Sequence, residues 1–228
     1  MRIDVLTLFP PACEPFFAAS ILGRAQSAGR IEIVCHNIRD YTTDVHRKVD
    51  DRPFGGGPGM VLMCQPLVDA VEAVERMDAR PAQRVLLSPR GERFSQACAA
   101  ELSRLERLLL IAGHYEGVDE RVCELLRPRE LSIGDYVLSG GEAAAMVVVD
   151  AVARLLPGVV GHPDGAADES FTADLLEYPH YTRPREYRGL RVPDVLVEGN
   201  HAAIAEWRKA AAERITQERR PDMRRQAD

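Results

Sequence analysis

A chain of 228 residues, 46% apolar and 28% charged, has the makeup of a globular protein that can bury a core in one large domain, with or without a small appendage. Its net charge of −6 argues against a wholesale basic surface while leaving room for a local one that grips phosphates. Five cysteines, an odd count with no C-x-x-C pair, argue against a disulfide framework and a zinc site and suit a reducing compartment.

The chain enters a strand-like run at once, Ile3 to Phe9, and the acid at Asp4 does not suit a secretory apolar segment. Further strand-like runs follow at Ile31 to Ile38, Val85 to Ser88, Leu108 to Ala112 and Glu130 to Ile133. Helical patterns lie between them. Leu67, Val71, Val74 and Met77 recur at helical spacing behind Pro66, which suits a first turn. Val118, Val122, Leu125 and Leu126 make a second stripe. This alternation predicts an α/β fold with a mostly parallel sheet. Next, Ser139-Gly140-Gly141-Glu142 reads as a capping box, with Ser139 as N-cap and Glu142 reaching back. The helix it opens carries Met146, Val147, Val148, Val149, Val152, Leu155 and Leu156 on nearly all faces, so it is expected to be buried in the protein or in a subunit interface. Pro157-Gly158 ends it. Asp150 and Arg154 interrupt this apolar stretch, which is too short to span a bilayer, and the expected location is the cytoplasm.

Residues 161–174, rich in Gly, Ala, Asp and Pro, read as a flexible linker between a domain over 1–160 and a small, mainly helical C-terminal domain over 175–228. Leu175 to Pro193 is a mixed loop region, after which Asn200 is expected to cap a final helix with Ile204, Trp207, Ala211 and Ile215 on one face.

Three loops carry the chemical signal: Ser88-Pro89-Arg90-Gly91, Gly113-His114-Tyr115-Glu116-Gly117, and Gly134-Asp135-Tyr136-Val137-Leu138-Ser139-Gly140-Gly141. Each follows a predicted strand, and open α/β sheets bind ligands beyond the carboxyl ends of their strands. Any one loop alone reads equally well as an ordinary tight turn. No G-x-G-x-x-G and no G-x-x-x-x-G-K-[ST] occurs, so a dinucleotide or P-loop phosphate site is unsupported. The loops set Glu116, Asp119 and Asp135 against only Arg90 and His114, an acidic, amide-rich lining that suits a cationic ligand bearing a nucleobase, such as S-adenosylmethionine. His36, His162, His180 and His201 lack metal-ligand spacing, and no metal site is assigned.

The segments VHRKVDDRPFGGGPGM (45–60), LSPRGERF (87–94), LIAGHYEGVDERV (110–122), LSIGDYVLSGGE (131–142) and YPHYTRP (178–184) resemble the bacterial tRNA (guanine-N1)-methyltransferases of the SPOUT class, nearly from end to end. The resemblance implies a deep trefoil knot in the sheet region, a homodimer, and S-adenosylmethionine held bent in the knot. It implies transfer of the methyl group to N1 of the guanosine just 3′ of the tRNA anticodon, and no DNA or membrane partner. Two alternatives keep the fold: another RNA target, a ribose 2′-hydroxyl or ribosomal RNA, and a non-catalytic RNA-binding homologue.

By resemblance the cofactor positions are Leu87, Ser88, Pro89, Gly113, Tyr115, Glu116, Gly117, Ile133, Gly134, Asp135, Tyr136, Val137, Leu138, Gly140 and Gly141. Arg154 is the implied cation for the developing charge at O6, and the general base an acid before Ser170-Phe171. The family generally reads Glu-Asp-Ser-Phe there. This chain reads Asp168-Glu169-Ser170-Phe171, so the ungapped base is Glu169, with Asp168 as the alternative after a register shift. The tRNA contacts are expected from His46, Asp50, Arg52, the Gly55-Gly56-Gly57-Pro58-Gly59 turn, Tyr181 and Arg183. The family is also associated with Mg²⁺ dependence, with Glu116 the acid nearest in mind.

Overall fold

The computed structural model describes residues 1–160, 169–171 and 174–224, which fall into two compact units, Met1–Pro163 and Asp164–Asp228. The linker expectation over 161–174 lies mostly outside the described residues.

The first unit is built on a five-stranded sheet of β1 (Arg2–Thr7), β2 (Glu32–Asn37), β5 (Gln83–Arg93), β6 (Arg107–Ala112) and β7 (Arg129–Ser132). All neighbours run parallel, in the order β2-β1-β6-β5-β7. Parallel sheets are covered on both faces, which is why β6 is apolar without a break from Leu108 to Ala112 and β1 is buried from Ile3 to Thr7. The two-residue period still sorts them. Ile3, Val5, Val85, Leu87, Leu108 and Leu110 face one core cluster. That cluster is closed by α1 (Pro10–Ala18), α2 (Ser20–Ser27), α4 (Gln96–Leu102) and α6 (Glu142–Ala153). Leu6, Leu86, Leu109 and Ile111 face the other, closed by α3 (Cys64–Arg76) and α5 (Glu120–Leu126). Between β2 and α3 the chain makes an excursion whose only strands are the short antiparallel pair β3 (Asp50–Asp51) and β4 (Val61–Leu62).

At the amino end of the sheet lies a fully buried ion pair that the sequence did not announce. Arg107 Nε donates to Asp4 Oδ2 at 2.8 Å, with both side chains wholly excluded from solvent. The same guanidinium donates to the carbonyls of Val74 (2.6 Å) and Asp78 (2.8 Å), closing the carboxyl end of α3. His36 Nε2 and Arg2 complete the shell of Asp4. Burial alone would push the Asp4 carboxyl up, but hydrogen bonds from His36, Arg2 and Arg107 outweigh it and hold it at about 2.

Several expectations need correction. Leu125 is exposed, because α5 is only seven residues long and its buried stripe is Val122 and Leu126. Met77 caps α3 instead of extending its buried face, and is also exposed. β5 does not stop at Ser88. Its pairing with β7 jumps from Leu87 to Glu92, both opposite Leu131, so the Ser88–Gly91 loop is a bulge inside one strand. The capping box does not form: α6 starts at Glu142 with Gly141 as N-cap and no side-chain cap. The reason is that Gly140 and Gly141 are drawn into pairing with the neighbouring loop. Gly141 N–H donates to the Gly113 carbonyl at 2.7 Å, and Gly140 forms an antiparallel bridge with His114.

In the second unit, α7 (His201–Arg219) begins as expected, with the Asn200 side chain accepting from Ala203 N–H. Ala211 is buried, and Ile204, Trp207 and Ile215 are half-buried on the same face. The stretch read as mixed loop contains a hairpin, β8 (Glu186–Tyr187) and β9 (Leu190–Arg191). Its two-residue turn, Arg188-Gly189, has φ of 52° and 82°, the left-handed pair that fits a tight hairpin.

Candidate active site

The three glycine-bearing loops meet. The β5 bulge, the turn after β6 and the long turn after β7 line one cleft of about 370 Å³, within the usual range for small-molecule sites. β5 is the strand between β6 and β7, so consecutive carboxyl ends deliver all three loops to one place. Of the fifteen expected cofactor residues, fourteen line the cleft; the exception, Asp135, is exposed and does not. Leu86, Arg90, His114, Val118, Leu131, Ser132 and Ala144 line it as well and were not singled out as cofactor positions. Most of these flank a predicted residue on the same strand or turn, which is the signal that would have found them.

Backbone geometry explains the glycines. A Cβ on Gly141 would sit 2.7 Å from Ala112 Cα and 3.0 Å from Gly113 N, so the third turn can lie against the second only without one. Gly134 has φ of 151°, which L side chains rarely adopt. Tyr115, a non-glycine residue, is held at φ 64°, a strained conformation that tends to persist where a ligand site over-determines it.

The acidic balance expected of the lining does not hold. Asp119 caps α5, accepting from Arg121 N–H and pairing with the Arg121 guanidinium, which lowers its carboxyl. Asp135 points elsewhere, so of the three acids only Glu116 lines the cleft. Arg90, at its edge, pairs with Glu120 and Glu130. The walls are instead largely apolar: Leu87, Leu131, Ile133, Leu138 and Ala144. This lining fits S-adenosylmethionine by shape and polarity more than by charge, with apolar surface for a nucleobase and close-approaching backbone at the glycines. His114 adds a polar feature: its Nδ1 is buried and has no hydrogen-bond partner among the described residues.

The excursion carrying the expected tRNA residues is fastened to the second loop. Glu116 N–H donates to Met60 O and Leu62 N–H to Gly117 O, each at 2.9 Å. Arg39 donates to the Tyr115 hydroxyl at 3.2 Å. Gly55, Gly56, Gly57 and Gly59 all have positive φ, and Gly59 packs where a Cβ would collide with the Glu116 side chain. His46, Arg52 and Pro58 are exposed there, and Asp50 is half-buried in β3. Arg47 and Lys48 are engaged with Asp40 and Asp51.

Of the expected catalytic residues, only Arg154 belongs to the unit that holds the cleft, and it is not among the lining residues. Arg154 is the C-cap of α6 and half-buried. Glu169 is half-buried in the second unit, and Asp168 lies outside the described residues. Tyr181 and Arg183 line a separate cleft of the second unit with Trp207 and Arg208, where the Arg208 guanidinium sits 4.8 Å over the Tyr178 ring. Among the described residues no three His, Cys, Asp or Glu side chains group as metal ligands, and none of their helices is long and apolar enough to cross a membrane.

Comparison with known proteins agrees with the cleft. The family model described as tRNA (Guanine-1)-methyltransferase TrmD matches residues 1–226. A tRNA (guanine-N(1)-)-methyltransferase of Thermomicrobium roseum is 56% identical over 98% of this chain and 83% of its own length. Proteins of the same name from Chloroflexus aurantiacus and Pelotomaculum thermopropionicum are 57% and 55% identical, covering 98% and 100% of this chain and 88% and 91% of theirs. With a matching model over almost every residue and relatives this close, the chain belongs to the tRNA (guanine-1)-methyltransferase family.

Proposed function

We propose that this protein transfers the methyl group of S-adenosylmethionine to N1 of the guanosine immediately 3′ of the tRNA anticodon, maintaining the reading frame. The observation that carries the proposal is the convergence of the three loops on one cleft in a chain of this family. When bound, the cofactor supplies an electrophilic methyl group on sulfur. The rest is the work of the chain. Guanine N1 carries a proton at neutral pH and is a poor nucleophile until a positioned carboxylate accepts it. Glu169 is the assigned acceptor, with Asp168 as the alternative. Negative charge then moves to O6, where the Arg154 guanidinium is assigned to stabilise it. The target base must leave its stack to be read on its Watson–Crick edge.

The domain roles follow: residues 1–160 hold the methyl donor, 161–174 link and deliver the acid, and 175–228 grip the tRNA. His46, Asp50, Arg52, the 55–59 turn, Tyr181 and Arg183 form its contacts. Apolar side chains left exposed on the first unit, Val137 at 90% and Val147 at 46%, support a homodimer that covers them. The trefoil knot, the cytoplasmic location and the absence of DNA and membrane partners belong to the same reading. A Mg²⁺ requirement, with Glu116 as the acid at the cleft, belongs to the same reading, and no step is routed through it. Incubating bulk tRNA with labelled S-adenosylmethionine and mapping the product by mass spectrometry tests the proposal: N1-methylguanosine at the stated position is expected. A methyl group on a ribose, or no incorporation into tRNA (whether or not ribosomal RNA supplied in its place is methylated), defeats it.

A further inference from the structure

Behind the cleft runs a line of polar side chains to which the proposed chemistry assigns no role. Thr7, fully buried at the carboxyl end of β1, donates its hydroxyl proton to Glu142 Oε1 at 2.6 Å. The same hydroxyl accepts from Phe9 N–H at 2.9 Å, so its orientation is fixed from the other side. The second oxygen of Glu142 lies 3.7 Å from His114 Nδ1, a buried ring nitrogen without a hydrogen-bond partner among the described residues. His114 itself lines the cleft. Its ring is held between Phe9, with centroids 5.0 Å apart, and Tyr115 at 5.1 Å.

Two further facts tie this line to the loops. Gly140, bridged to His114 through the backbone, is the point where a Cβ would collide with both the Glu142 carboxylate and the His114 imidazole. A glycine there keeps the gap between them narrow. And Glu142 is free of its expected capping duty, because Gly141 occupies the N-cap position and leaves that carboxylate to turn toward Thr7. The carboxylate, held through one oxygen by Thr7, abuts the His114 ring with the other.

We propose that Glu142 is a positioning residue for the methyl-donor cleft. Its carboxylate, locked by Thr7, fixes His114 and with it holds the 113–117 turn against the 140–141 turn in the shape that receives the donor. The proposal rests on the assignment of the cleft to S-adenosylmethionine, and acts on donor binding rather than on the guanine chemistry or on tRNA.

The test uses the full chain and the product S-adenosylhomocysteine, with affinity read by isothermal titration calorimetry and fold by thermal unfolding. Glu142→Ala is expected to weaken binding by about tenfold or more, the size of a lost hydrogen bond to a charged group. KM for tRNA should change less than donor affinity does, since the tRNA-facing excursion meets this line only through the far side of the 113–117 turn. Glu142→Gln, whose amide oxygen still accepts from Thr7, should restore affinity to within about threefold of the wild type. If Glu142→Ala fails to fold, Thr7→Val decides: it keeps the buried shape, removes the lock, and is expected to weaken binding by about threefold to tenfold. Wild-type affinity in Glu142→Ala or in Thr7→Val overturns the proposal, as does a glutamine variant no better than alanine. A wild-type protein that does not bind S-adenosylhomocysteine sinks instead the assignment of the cleft.

Discussion

Replacing Arg107 by methionine removes one half of the buried ion pair while keeping most of its bulk. Asp4 would keep only His36 and Arg2, and the carbonyls of Val74 and Asp78 would lose the guanidinium that closes α3. Breaking one side of a buried pair costs about 3–5 kcal/mol where the remaining charge is uncompensated; with Arg2 and His36 still on Asp4, the low end, about 3 kcal/mol, is expected. For a chain of this size that lowers the midpoint of thermal unfolding by about 10 °C. The partner titration gives a second handle. The Asp4 carboxyl sits at about 2 in the folded chain against an ordinary 3.8. A depressed carboxyl contributes stability that is fully present above its unfolded value and is lost as pH falls toward its folded one. The difference corresponds to about 2.5 kcal/mol, present at neutral pH and fading between about pH 4 and pH 2. Circular dichroism melts of wild type, Arg107→Met, Asp4→Leu and the double variant would measure both. The double variant should recover much of the loss, since it leaves no unpaired charge. A midpoint change under about 2 °C for Arg107→Met, or a double variant as unstable as the two single losses added, refutes the reasoning.

Other outcomes are equally specific. Gly141→Ala should abolish measurable binding of S-adenosylmethionine while the second unit keeps its fold, because the new Cβ would meet the Ala112 and Gly113 backbone; near-normal affinity by calorimetry contradicts the close approach. Glu169→Ala should lower kcat by about a hundredfold or more with donor affinity unchanged, and Asp168→Ala much less; equal wild-type turnover in both removes the base assignment. Arg52→Ala and Arg183→Ala should each raise KM for tRNA severalfold and reduce the salt dependence of binding by about one counterion, read by filter binding at several salt concentrations. Asn200→Ala should cost about 1 kcal/mol of stability in the second unit by loss of its cap, with no effect on donor binding.

Much of the fold was legible because its signals are local. The strand-like runs at β1, β2, β6 and β7 and the spacing of Leu67, Val71 and Val74 follow from packing against the sheet, and each was placed to within two residues. Asn200 carries its capping chemistry in its own side chain. What failed needed a partner from elsewhere in the chain. Ser139 has the right spacing for a capping box, but Gly113 and His114 claim the backbone beside it. Arg107 reads as a surface charge until Asp4 and the end of α3 close on it, more than a hundred and about thirty residues away. The cleft was readable in its glycines and misread in its charge, since whether Asp119 or Asp135 faces a ligand depends on which way a turn points. Some local signals were also missed: the Arg188-Gly189 hairpin, the prolines that open α1, and Ser95, whose side chain caps α4.

The central claim is that the 88–91, 113–117 and 134–141 loops together hold the methyl donor. Calorimetry of the wild-type protein with S-adenosylmethionine, followed by a crystal structure of the complex, tests it directly. One donor per chain, seated between those loops against Leu87, Ile133 and Leu138, is the predicted result. No heat of binding, or a donor seated anywhere else on the chain, contradicts it.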